Sequence, residues 1–159
     1  MSKDDVQSVS VLPYVWYYTI MTFVLTIVLV VVLNFLLSLS EDAIRAAGFI
    51  ITIGSTIFAY YKFIKGNGRL LNRQEYWRMV ALSTLGACLI SALEGGLALM
   101  GGAAKGLGNV PLAVWAAGAL FGFLLVFSMN AAGFGGRFGK TMLKAVLAKR
   151  AKVDTETFR

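Results

Sequence analysis

One residue in this chain combines a reactive side chain with a setting that demands an explanation: Glu94, a carboxyl inside the apolar run that follows Arg78. Counted back from Gly101 at about 1.5 Å per residue, it lies roughly 10 Å inside the end of that run. An ionised carboxylate at such depth is costly unless it is paired or hydrated, so residues of this kind face a bundle interior or a watery cavity. Asn34, Arg45 and Lys105 fall near the same end of neighbouring segments and are the expected partners. Two readings stand side by side. Glu94 is a proton or cation site, or a polar contact to another membrane protein; or it is a structural ion pair or a protonated carboxyl hydrogen-bonded to backbone.

Other chemistry is sparse. Histidine is absent, which removes the commonest general base and metal ligand, so no metal or cofactor is expected. The single cysteine, Cys88, sits in an apolar run and reads as a small packing residue that no intrachain disulfide can use. The stretch Gly133 to Thr141 imitates a phosphate-binding loop, but it places five residues where that motif needs four, and it follows an apolar helix instead of a strand. Its glycines read as a hinge at a helix end. With no nucleophile and base in a recognisable arrangement, an enzyme is not expected.

The elements that must position Glu94 are membrane spans. With 58% hydrophobic residues, a mean hydropathy of +0.73 and 14% charged residues, the chain has too little polar material to cover a soluble globule. Segments of about 20 apolar residues cross a bilayer. The pattern predicts an all-α membrane protein, a four-transmembrane-helix bundle with spans at 13–39, 43–64, 73–101 and 110–130. A tail at 1–12 precedes them, and a basic tail at 131–159 carries an amphipathic segment, Thr141–Lys152, that either lies on the membrane or is simply solvated. Pro13 and Pro111 suit first helical turns, Gly66 and Gly68 suit a helix stop, and Asn72 with Glu75 suits a capping box.

Charge sets the orientation. The stretch 62–78 carries Lys62, Lys65, Arg69, Arg73 and Arg78, a basic hairpin between the second and third spans. With Lys3 and the C-terminal Arg137, Lys140, Lys144, Lys149, Arg150, Lys152 and Arg159, all but Arg45 and Lys105 of the basic residues fall on one side if both termini are cytoplasmic. Such a bias follows the positive-inside rule. The net charge of +7 is accounted for in this way, and no nucleic-acid partner is expected. Helix packing is expected where small residues recur: Ser83, Ala87, Ser91 and Gly95 on the third helix against Gly118 and Gly122 on the fourth.

The pattern Phe63, Lys65, Gly68-Arg69, Glu75 and Arg78, set between a second and a third hydrophobic segment, resembles a family of uncharacterised small bacterial inner-membrane proteins with four predicted helices. The resemblance implies an inner-membrane address, multi-pass with both termini inside, and no catalytic residues. Expected partners are the lipid bilayer and another membrane protein or toxin, with a homo-oligomer also open. The function expected is non-enzymatic binding within the membrane, most concretely as an immunity protein against a membrane-targeting or pore-forming toxin. The alternative is a small transporter or transport-complex subunit that uses Glu94 in a proton or cation pathway.

Overall fold

The computed structural model describes residues 8–32, 41–100 and 110–157, which fold as five helices. They are α1 (Leu12–Val31), α2 (Glu41–Asn67), α3 (Arg73–Ala98), α4 (Leu112–Gly133) and α5 (Gly136–Thr157). Three of them, α1, α3 and α4, are long and apolar enough to cross a membrane. The fourth expected span, α2, is not among these three. It carries Glu41, Asp42, Arg45, Lys62 and Lys65, and its buried residues include the polar Thr52, Ser55 and Thr56 beside the apolar Ala59, Tyr60, Phe63 and Ile64.

Local chemistry explains the boundaries. Pro13 occupies the first turn of α1, where its missing N–H would be unpaired in any case. The expected range of α1 runs on to residue 39, beyond Val32 and outside the described residues. Helix α2 does not stop at Gly66. It continues to Asn67, and Gly68 takes a φ of 64° while its N–H donates to the Ile64 carbonyl at 2.8 Å. That left-handed conformation costs glycine little, and the bond satisfies one of the carbonyls that a helix end leaves open. At the start of α3 the capping box forms as the sequence suggests: Glu75 N–H donates to Asn72 Oδ1 at 2.8 Å and Asn72 N–H donates to Glu75 Oε2 at 2.9 Å.

The expected tail at 131–159 is largely helix instead. Helix α4 runs to Gly133, the chain turns at Phe134 and Gly135, and α5 packs beside α2. The cause is the apolar stripe of α5: Val146 is buried, and Met142 and Leu143 pack on the core. Arg150 closes the contact by donating to the Lys65 carbonyl near the end of α2, a place that favours a cation. Contacts then join α1 to α2 and α3, and α4 to α2 and α3, so α1–α2–α4–α3 form a ring with α5 outside α2.

The core is concentrated at the end of this ring that holds Arg69, Arg73 and Arg78, the basic end. Val11, Val15, Tyr18, Ala59, Tyr60, Phe63, Ile64, Met79, Val80 and Phe134 are buried there in one cluster. Toward the far end α3 and α4 lose their neighbours, and every residue of α4 from Leu112 to Leu124 is exposed. Replacing Gly68 by Ala forces a β-carbon into the left-handed region. We expect a loss of about 1 kcal/mol and an apparent Tm a few degrees lower for the detergent-solubilised protein, with its helical circular dichroism retained.

Candidate functional site

The basic end is organised by one carboxylate. Glu75, almost fully buried, receives Arg69 Nη1 and Nη2 at 2.7 Å each, the Val9 N–H at 2.7 Å and the Asn72 N–H at 2.9 Å. The paired guanidinium bonds are the strong, geometrically specific kind. In return the carboxylate holds the Arg69 guanidinium above its ordinary pKa. Arg69 also donates to the Leu70 carbonyl at 3.1 Å and stands over the Phe63 ring. The hairpin thus divides by role. Arg69 is consumed in building it, Lys62 lies over the Tyr17 and Phe58 rings, and Lys65, Arg73 and Arg78 face outward.

A second buried polar cluster joins the helices nearer the middle. Asn130 of α4 donates through Nδ2 to Thr84 Oγ1 at 3.1 Å, and its Oδ1 lies 2.9 Å from the Thr56 hydroxyl, which also points at the Thr52 carbonyl 2.8 Å away. Tyr76 supports it by donating to the Ala131 carbonyl at 2.8 Å. Tyr18 is buried beside this layer, and among the described residues the buried hydroxyls of Ser55 and Ser83 have no hydrogen-bond partner. One side-chain rotation brings either serine to a carbonyl of its own preceding turn. Asn130, Thr84 and Thr56 escaped the sequence analysis, although Asn130 is the one amide side chain in an otherwise apolar α4 and so carried a signal.

Glu94 is half-buried on α3, and its carboxyl reaches the Thr26 hydroxyl of α1. The expected partners do not enter this picture: Asn34 and Lys105 lie outside the described residues, and Arg45 belongs to α2 with a side chain that is likewise not described. Threonine at this position was legible only as one polar residue among several in α1. Helical spacing sets Glu94 on the face that also carries Ala87 and Ser91.

Beside that face lies a concavity between α3 and α4. The small residues do not close α3 onto α4 along their whole length. Ser83 and Ala87 are buried, but Ser91, Gly95, Gly118 and Gly122 are exposed, and a β-carbon added at any of the three glycines would meet nothing within 4 Å. In place of the expected tight crossing there is an apolar groove of about 670 Å³, walled by Ala87, Cys88 and Ser91 on α3 and by Trp115, Gly118 and Gly122 on α4. Trp115 and Phe123 stand beside the α4 glycines in the groove's lining.

No family model, curated protein or solved structure matches this chain. The site is therefore read from its own residues. It offers an apolar groove whose α3 wall ends at Ala92, two residues before Glu94, which is not itself in the lining, and among the described residues no group of histidine, cysteine or carboxylates is placed to hold a metal.

Two stability measurements follow from this geometry. A double-mutant cycle of Arg69→Gln and Glu75→Gln should give a coupling of about 1–3 kcal/mol, because each single change strands a polar partner at a buried site. A coupling near zero would show the pair to be effectively solvated. Asn130→Ala should cost only about 1 kcal/mol, since Thr56 and Thr84 can turn to carbonyls of their own helices.

Proposed function

We propose that this chain is a non-enzymatic membrane protein that acts by binding another membrane protein inside the bilayer, with the groove between α3 and α4 as the receiving surface. One observation carries the reading: two helices able to span a membrane present facing small residues that are left open instead of packed. In lipid, helix association depends on close backbone approach, and glycine and alanine walls permit it. The occupant we propose is a transmembrane helix of the partner. Glu94, beyond Ser91 on the same face, is the polar contact at its rim.

The setting we propose is a bacterial inner membrane, with α1 to α4 as four spans and both termini inside. The charge count supports it, since Arg69, Arg73, Arg78 and the basic residues of α5 belong to one end of the bundle. The concrete form of the function is an immunity protein: a small partner that occupies a membrane-inserting or pore-forming toxin within the bilayer. A helical toxin segment held in the groove would be kept from assembling with its own kind. The transporter reading rests on Glu94 alone, a carboxyl that meets the Thr26 hydroxyl. Proton-coupled flux in liposomes that vanishes in Glu94→Gln would favour it over binding.

The glycines give a test that separates function from folding. Gly118→Leu and Gly122→Leu set their β-carbons in open space and extend the rest of the side chain into the groove, so melting temperature and helix content should stay close to the wild type. A photo-activated cross-linker at Ser91, used in native membranes, should join the chain to the transmembrane segment of one integral membrane protein, and both leucine variants should lose that product. Protection against a toxin encoded beside this chain's gene should fall with it. Cross-links to lipid alone, or products that survive both leucine variants, would overturn the proposal.

A further inference from the structure

A second concavity lies where α2, α4 and α5 meet, away from the groove. It is an apolar notch of about 180 Å³ lined by Ile53 and Ile57 of α2, Met129, Ala132 and Gly133 of α4, and Phe138 of α5. Phe138 is 57% exposed, so the notch is open to the bundle's surroundings. The residues about it mark its height. Tyr76 bonds to Ala131, Tyr60 packs on Phe134, and Trp77 stacks with Phe127 beside the outward-facing Arg78. Aromatic rings of this kind, interleaved with basic residues, settle at headgroup level.

Immediately beside the notch, α5 begins. Its first N–H groups, at Gly136, Arg137 and Phe138, have no partner within the helix and carry the positive end of its dipole. Arg137, Lys140 and Lys144 follow at i, i+3 and i+7, which sets them on one face, and all three are exposed. Among the described residues none of the three pairs with a carboxylate; Glu75, the buried acid of this end, is occupied by Arg69. A phosphate at the start of α5 would therefore meet cations and backbone donors, while the hydrocarbon beneath it would meet the isoleucines and Phe138.

We propose that this junction is a binding site for an anionic glycerophospholipid of the basic-side leaflet, its phosphate held by Arg137, Lys140 and the N-terminus of α5 and one acyl chain laid in the notch. The site is independent of the groove. A lipid here would fill the wedge that opens where the chain turns from α4 into α5, and so hold α5 against α2 in register with the Arg150 contact.

Native mass spectrometry of the full chain released from detergent micelles tests it directly. With phosphatidylglycerol and phosphatidylcholine supplied in equal amounts, we expect one retained phosphatidylglycerol and little phosphatidylcholine. The double variant Arg137→Gln with Lys140→Gln should lower that occupancy about tenfold or more, given two cations lost at one phosphate. Lys149→Gln, an exposed cation farther along α5, should leave it unchanged. Ile57→Trp fills the notch while sparing every cation and should also expel the lipid, which guards against a charge effect on the whole surface. Millimolar inorganic phosphate should not displace the lipid. Equal retention of both lipids, wild-type occupancy in the double variant or in Ile57→Trp, or displacement by free phosphate would each overturn the proposal.

Discussion

The structure depends on one buried carboxylate. Glu75 caps the helix that it belongs to, binds the guanidinium of the preceding loop and captures the N–H of Val9, just before α1 begins. The segment before α1, 66 residues away in sequence, is thereby fixed to the loop and first turn of α3 within one side chain's reach. A carboxylate in such a place would be a liability without donors on both oxygens, because a buried charge without partners costs several kcal/mol. Here each oxygen receives one guanidinium nitrogen and one backbone N–H. The loop from Gly68 to Asn72 supplies three of these four donors, so the loop's conformation and the burial of Glu75 require each other.

From that anchor the molecule divides by the forces available to it. At the basic end aromatic and aliphatic side chains are buried together, with Tyr18, Tyr60, Phe63 and Phe134 as the large pieces. Toward the far end apolar side chains stay on the surface: Leu89, Leu93 and Leu97 of α3, and Leu112, Leu120 and Phe121 of α4. In water such exposure would be untenable; against hydrocarbon it costs nothing, and the only gain from closing the helices would be van der Waals contact. The splay of α3 from α4 is thus a property of a chain that meets two solvents along its length.

How much of this was legible in the sequence follows the same division. The cap at Asn72 and Glu75 and the turn at Gly68 were readable because they rest on local chemistry, side chain to backbone within a few residues. The guanidinium partner and the Val9 contact were not, since nothing local says which of the hairpin's five cations turns inward. The C-terminal segment showed its amphipathic spacing, yet whether Val146 meets a membrane or α2 is decided by a neighbour that periodicity does not name. The small residues of α3 and α4 were read for their size, and size permits both a closed crossing and an open groove. Trp115 and Phe123 join the α4 lining of that groove. Glu94 stood out as a lone carboxyl in an apolar run, but its approach to Thr26 depends on how α1 lies against α3.

The two polar layers also determine how freely the groove can receive a helix. Among the described residues α3 and α4 are joined by hydrogen bonds only through Tyr76 to Ala131 and Thr84 to Asn130, both below the groove. Past Thr84 no such bond has to be broken for the walls to move, and no buried polar group has to be dehydrated for a helix to enter. The fixed point sits where the hydrogen bonds are, and the α3 wall of the groove is lined by the small residues Ala87, Cys88, Ser91 and Ala92. On the proposed reading, an incoming helix would exchange lipid contacts for protein contacts, its affinity coming from shape and from what it offers to Glu94. On that reading the partner would be selected by the small and polar residues along one face of its helix, not by hydrophobicity, which every transmembrane helix shares.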